Sequence, residues 1–356
     1  MPTKNDYVLA LHESTDLPIE LCIKIFKEFE YSFDTLFELQ KAVYYYPKNI
    51  IDFYDMCFWN ISNITSLESF SNLFISEKEL SQEKYDTEYD KDEEINPHIF
   101  KTIKLKTYSG MEDWDVSNVT SMKSAFLKNK INFDISKWNI EKIVNLECAF
   151  QKAIFQNPNQ DFTHWNTSNL EKMDYLFEDS NFNGDVSNFV IDKVKSLRYS
   201  FSKTPFKGDV SKWNTINVTN MEGLFDCSEF NGDISKWRVE NVIIMNYMFD
   251  SSIFNNDISN WDVRKVKYMS YMFRNSKFNG DISKWKINSL EYMGFMFYSS
   301  CFNGNLEQWD ISKVKTLQNM FENCPFTGKL ANWNIKKLNY ENQSYILEYW
   351  RELYKK

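Results

Sequence analysis

A tryptophan returns every 24 residues along most of this chain: Trp114, Trp138, Trp165, Phe189 in the same slot, then Trp213, Trp237, Trp261, Trp285, Trp309 and Trp333. Only the interval from Trp138 to Trp165 departs, at 27 residues. A fixed period of this length belongs to stacked structural units, none of which can bury its apolar edge alone. Function is then to be sought on an extended surface rather than in one pocket.

Within a unit, numbering from the tryptophan as zero, the apolar residues keep fixed places. In one copy they are Phe230, Ile234, Trp237, Val239, Val242, Met245, Met248 and Phe249; in the next they are Phe254, Ile258, Trp261, Val263, Val266, Met269, Met272 and Phe273. Neither a continuous helical nor a continuous strand period fits them. The mixture predicts one short strand over Gly-Asp-Ile-Ser, with Ile inward, and one helical or 3₁₀ turn from +5 to +12. The methionines at +8 and +11 read as core filler.

Polar residues also form rows. Position −5 holds Gly184, Gly208, Gly232, Gly280, Gly304 and Gly328, with Asn256 as a substitute. Glycine replaced by asparagine predicts a left-handed backbone there. Ser109, Phe133 and Gln160 occupy the slot in the early units, which should turn differently. Asparagines at −6, from Asn132 to Asn303, are placed to hydrogen-bond along the array. Aspartates at −4 and serines at −2 form a surface row. Calcium would need several carboxylates per site, so each Asp is expected to cap its own turn by accepting the N–H two residues on.

Composition narrows the function class. Of the net charge of −9, residues 77–94 contribute −6, from nine acids and three lysines. The rest is nearly balanced, with no basic stripe, so nucleic-acid binding is not expected. No signal peptide and no membrane span is expected. The six cysteines form no CxxC pair and read as reduced, mostly buried side chains, consistent with a cytoplasmic location in a host cell or virion. His12, His98 and His164 lie far apart, and no phosphate-binding loop, nucleophile elbow or metal motif occurs. Neither catalysis nor a cofactor or metal is expected.

The ends of the array differ from its middle. Trp59 opens a degenerate repeat over 51–75, and 76–100 reads as an acidic insertion or loop. The array proper covers 101–337. Residues 338–356 place Ile346, Tyr349, Trp350 and Leu353 on one helical face, the pattern of a C-terminal capping helix. Residues 1–50 form a small helical segment, with Pro18 in a first turn and Leu21, Ile25 and Phe29 following at helical steps.

Two resemblances add to this reading. NVTNMEGLF (217–225), FNGDISKW (230–237) and VTSMKSAF (119–126) resemble BspA-like leucine-rich repeats, found in mycoplasma-type surface lipoproteins, large DNA viruses and protists. That resemblance implies a leucine-rich-repeat solenoid whose sheet face binds protein. On this chain the face would carry Asp185, Ser187, Asp209, Ser211, Asp233, Ser235, Asp257, Ser259, Asp281 and Ser283. LPIELCIKIFKEF (17–29) is similar to the F-box, whose opening Leu-Pro binds a Skp-type adaptor of a ubiquitin ligase. The matching residues are Leu17, Pro18, Glu20, Leu21, Ile25 and Phe26; YYYPKNI, further on, matches poorly. The leading expectation is a non-enzymatic protein-binding scaffold, in one version an F-box-type substrate receptor. A structural virion component is the alternative, with virion proteins as partners, and a cell-surface adhesin the third.

Overall fold

The computed structural model describes residues 31–32, 59–70, 111–328, 330 and 332–353. Successive units lie in parallel register. All eight apolar slots face one continuous core: Phe230, Ile234, Trp237, Val239, Val242, Met245, Met248 and Phe249 are at most 4% exposed. Aromatic rings run through the core in columns. Trp213 and Trp237 lie 6.4 Å apart and within 2° of parallel, and Phe230 and Phe254 lie 6.3 Å apart at the same angle. Tryptophan has a further role that phenylalanine cannot fill. The indole N–H of Trp237 donates to the Val210 carbonyl of the preceding unit at 2.9 Å, and that of Trp261 to Ile234 at 3.1 Å. One buried side chain thus supplies both apolar area and a main-chain bond between neighbours.

The hydrogen bonds between units do not run where the strand was expected. Gly-Asp-Ile-Ser forms no strand and runs into a turn that begins at the serine, whereas single parallel bridges join position +7 of successive units, from Asn220 through Ile244 and Tyr268 to Tyr292. From that point every second N–H crosses to the next unit. Met245 donates to Tyr268 at 2.8 Å, Tyr247 to Ser270 at 3.1 Å, Phe249 to Met272 at 3.0 Å and Ser251 to Arg274 at 2.7 Å. The alternate N–H groups close turns within the unit: Met248 to Met245, Asp250 to Tyr247 and Ser252 to Phe249. The expected helical turn is therefore a ladder of tight turns shared between units. Such sharing leaves few buried peptide groups unpaired.

This alternation places two residues per unit in left-handed backbone, at +10 and +14. Tyr247 (φ 58°) and Ser251 (φ 52°) are one such pair, and Tyr271 (φ 63°) and Asn275 (φ 53°) the next. The −5 glycines are not left-handed, contrary to the expectation from their type; among the described glycines only Gly223, which falls at +10, has positive φ. A different constraint keeps the −5 slot small. A Cβ added to Gly232 would lie 2.7 Å from Cε2 of Phe230, whose ring folds back over it, and Gly208 and Gly280 meet Phe206 and Phe278 in the same way.

The −6 asparagines do link units. Their side-chain oxygens accept main-chain N–H groups rather than neighbouring amides: Asn231 from Asn255 at 2.9 Å, Asn255 from Asn279 at 2.8 Å and Asn279 from Asn303 at 2.8 Å.

Where the period stretches to 27, the extra residues form a local excursion. Strand β4 (Ile154–Phe155) pairs in parallel with β3 (Lys130–Ile131). Gln160, buried in the slot that holds glycine later, donates to Phe133 O at 3.0 Å and accepts Ile135 N–H at 3.2 Å. At the following junction the ladder bonds from Tyr175, Phe177 and Asp179 persist, but the +8 bond is missing and bonds appear at the Asp/Ser row. Phe162 N–H reaches Asp185 O at 2.9 Å and Asn183 N–H reaches Pro158 O at 2.7 Å, while Lys172 and Ser196 at +7 are not bridged.

At the N-terminal end, Leu67 N–H donates to Ser121 O at 2.9 Å, so residues 59–70 stack directly on the first full unit. The strand β1 (Tyr31–Ser32) pairs in parallel with β2 (Trp59–Asn60), placing a strand inside the segment read as helical. The proposed helices on either side of it, the acidic stretch at 77–94, and Leu17, Pro18, Glu20, Leu21, Ile25 and Phe26 all lie outside the described residues. At the other end helix α1 (Tyr340–Leu353) lays the fully buried Ile346 and part of Tyr345 and Tyr349 on the last unit.

Candidate partner-binding face

Because +8, +11 and +12 point into the core, the ladder presents +7, +9 and +10 outward. The left-handed +10 position carries Tyr175, Tyr199, Gly223, Tyr247, Tyr271 and Phe295 in successive units. A left-handed non-glycine residue costs about 1–2 kcal/mol, and here its N–H gains a bond to the next unit. The twist also aligns the rings at unit spacing: Tyr247 and Tyr271 are 4.7 Å apart, and Tyr271 and Phe295 are 4.8 Å apart, each pair within 5° of parallel. A second column at +7 stacks Tyr268 on Tyr292 at 5.1 Å.

Guanidinium groups lie over this aromatic stripe. Arg274 sits 5.0 Å from the Tyr271 ring centre and 5.9 Å from that of Tyr247, and its Nε is 2.9 Å from Asp250, which is buried. Arg198 sits 5.3 Å from Tyr175 and 5.6 Å from Tyr199, and pairs with Glu222 at 2.8 Å. Lys315 lies 5.6 Å from Tyr292. Burial raises the hydroxyl pKa of Tyr175, Tyr199 and Tyr247 above the ordinary value, so these groups are neutral donors at physiological pH. Burial likewise pushes Asp226 up, reinforced by the nearby Asp250 carboxylate. It pushes the Cys227 thiol to about 11, so that cysteine is a poor nucleophile. Cys227 and Cys301 are exposed, and Cys148 and Cys324 are half-buried, more open than their sequence context suggested.

The Asp and Ser residues that the repeat pattern puts forward for binding occupy a different row, at −4 and −2. Asp185, Asp209, Asp233, Asp257 and Asp281 are exposed, with Ser187, Ser211, Ser235, Ser259 and Ser283 half-buried beside them. They line a row of turns, not a sheet. Each carboxylate accepts the serine N–H two residues on, at 2.8–2.9 Å. Those backbone bonds, with the serine hydroxyls, hold Asp209, Asp233 and Asp257 below the usual carboxylate range; at Asp281 the Ser283 hydroxyl is the larger cause. Their hydrogen-bonding capacity is partly spent locally, whereas the tyrosine rim is not tied into turns in this way. The +10 stripe carries a sequence signal, a tyrosine two residues before the +12 phenylalanine in four copies of the repeat, at Tyr175, Tyr199, Tyr247 and Tyr271. It is hidden by the helical reading of that segment.

One further irregularity opens on the ladder face. At the unbridged junction between Lys172 and Ser196, a cleft of about 710 Å³ is lined by four carboxylates and three lysines, among them Asp174, Glu171, Lys172 and Lys195. Burial raises the Asp174 pKa, opposed by the Ser196 hydroxyl and the Arg198 N–H, which lies 3.0 Å from the carboxylate. Among the described residues no cluster of three metal-ligating side chains occurs, and no helix is long and apolar enough to cross a membrane.

The family model described as "Mycoplasma protein of unknown function, DUF285" matches three overlapping stretches of the chain, residues 96–207, 195–301 and 274–350. No curated protein and no solved structure matches.

Proposed function

The chain belongs to the DUF285 family across its repeat region, and from that premise we propose that it is a non-enzymatic scaffold, a leucine-rich-repeat-like solenoid that binds another protein through its ladder face. The observation that carries this reading is the column Tyr247, Tyr271 and Phe295, with Tyr268 and Tyr292 beside it and Arg274 across it. Tyrosine and arginine are the residues most enriched at the energetic centres of protein interfaces, because they bury large area with few rotors and keep a polar tip. Half-buried rings already held in register lose little freedom on binding, which lowers the ordering cost of association. Lys267, Glu291 and Lys315 give the patch a polar rim.

A photo-reactive phenylalanine analogue placed at position 268, and in a second variant at 236, tests the assignment in the native host. The same protein should cross-link to position 268 and not to 236. Cross-links confined to 236 would move the interface back to the Asp/Ser row.

In its specific form the scaffold is an F-box-type receptor, a reading supported by Leu17, Pro18, Glu20, Leu21, Ile25 and Phe26. A Skp-type adaptor would then co-purify with the intact chain and be lost in Leu17→Ala/Pro18→Ala. Failure to recover an adaptor from either form removes this version and leaves the scaffold reading standing.

A further inference from the structure

Glu171, Met173, Lys195 and Ser196 repeat the residue types of a regular junction and make none of its bonds. Between the units of Trp285 and Trp309, Lys315 N–H donates back to Glu291 O at 2.7 Å and Met293 N–H donates forward to Thr316 O at 2.9 Å. The Lys315 ammonium also pairs with the Glu291 carboxylate at 2.6 Å. Between the units of Trp165 and Phe189 the same slots hold Lys195, Glu171, Met173 and Ser196. Among the described residues, the N–H groups of Met173, Lys195 and Ser196 find no main-chain acceptor, and the carbonyls of Glu171 and Ser196 find no donor. Glu171 and Lys195, both exposed, form no ion pair there. Residue type therefore does not account for the missing rung; the two chain segments stand apart.

The opening is local. On one side of it Lys193 Nζ reaches Asn169 Oδ1 at 2.8 Å, and on the other Tyr175 N–H reaches Arg198 O at 2.8 Å. At the turn row the same two units are drawn together by the Asp161–Asp185 bridge. Phe189 brings no indole N–H to this junction, whereas Trp213 supplies one to Val186 O at the next. What results is the cleft of about 710 Å³, walled by main-chain donors and acceptors that bond each other at regular junctions. The Ser196 hydroxyl, close to the Asp174 carboxylate but outside hydrogen-bond geometry, is buried there without a partner among the described residues.

We propose that this cleft is a binding site for an extended peptide segment of a partner protein, which enters as the missing rung. The proposal rests on the ladder face being the partner-binding surface, which runs on from the cleft through Tyr175 and Tyr199 under Arg198. A peptide group brings both a donor and an acceptor, the combination left over here. In an extended chain one residue turns its N–H and C=O to one side, and its neighbours turn theirs to the other. A residue set parallel to Lys172 would donate to Glu171 O and accept from Met173 N–H. The groups of its two neighbours would meet the N–H and C=O of Ser196. A phosphate or a cation would satisfy only the donors or only the acceptors. Rim charges of both signs, Glu171 beside Lys172 and Lys195, favour neither. Strands added in this way take their affinity from main-chain bonds.

The test starts with a photo-reactive phenylalanine analogue at position 195 of the full chain in the native host. It should cross-link to the protein captured at 268, through one linear segment. Cross-linking at 268 with none at 195 overturns the proposal and leaves the face reading standing; cross-linking at neither removes both. A cross-link from 195 to this chain itself also overturns it. The captured segment, made as a synthetic peptide, should slow exchange of the Met173 and Ser196 N–H groups at least tenfold. Methylating either of two consecutive peptide amides should weaken binding at least tenfold, and methylating the terminal amides should not. Ser196→Tyr, a residue the same slot carries at Tyr268 and Tyr292, puts a ring in the cleft and should weaken binding by a similar factor. Unchanged exchange, equal tolerance of methylation at every amide, or full affinity in a folded Ser196→Tyr would each overturn the proposal. If that variant does not fold, the methylation series on the wild type decides alone.

Discussion

Tryptophan at the zero slot is selected by two demands at once, a large flat ring for the core column and a donor for the carbonyl at −3 of the preceding unit. Phe189 meets only the first, and the array keeps its register there: its ring lies 6.1 Å from Trp165 and 6.4 Å from Trp213, parallel to both. Trp237→Phe should therefore fold normally and lose about 1–2 kcal/mol, the net worth of one buried hydrogen bond plus a small cavity. Urea unfolding would measure it, and an unchanged midpoint would remove the indole bond from the energetics. Asp226 argues in the opposite direction. Burial raises its folded pKa above the unfolded value, so the ionised form costs stability at neutral pH, and that cost disappears as pH falls through the folded and then the unfolded pKa. Asp226→Asn should be more stable than the wild type at neutral pH and equal to it in acid. A deficit at neutral pH would mean that the hydrogen bond from Ser202 outweighs desolvation.

Between neighbouring units the decisive quantity is how completely backbone groups are paired. Gln160 and Asn342 solve the same problem at two irregular places, each presenting a carboxamide where a regular neighbour would present a peptide. Gln160→Leu keeps the volume but strands the Ile135 N–H and the Phe133 carbonyl in the interior. The expected loss is about 2–4 kcal/mol at one to three per unpaired group, partly offset by the apolar gain. Differential scanning calorimetry would detect a shift of that size; a melting point within a degree of wild type would show that water replaces the amide. The eight core slots were legible in the sequence because burial follows from residue type and spacing alone. The ladder was not, because methionines and phenylalanines three and one apart suit a helical turn and an alternating-turn ladder equally. Left-handed backbone at Tyr247, Lys203 or Cys227 carries no sequence signal, since what permits it is the bond to the next unit. The glycines misled for a related reason: the residue that tolerates positive φ also tolerates a ring packed on its Cα.

Across the whole molecule, main-chain bonds run in both directions between units, forward from +8, +10, +12 and +14 and back from +6, and the ladder they form carries one aromatic face. Tyrosines and arginines occupy the face because the left-handed +10 position lines up whatever side chain it carries at unit spacing. The Asp/Ser row was the more visible feature in the sequence, yet its carboxylates are engaged by their own turns. All of these assignments depend on where the main-chain bonds between units run. Amide hydrogen exchange resolved to single residues tests that most directly. The N–H groups of Met245, Tyr247, Phe249 and Ser251, and their equivalents in the units around Trp213, Trp261 and Trp285, should be among the slowest in the chain. The Ser235 N–H, held only by Asp233, should exchange rapidly, and protection at +8 should lapse at Met173, where the bridge is missing. Strong protection across 232–235 with rapid exchange across 245–251 would contradict the ladder and restore a sheet at the Asp/Ser row.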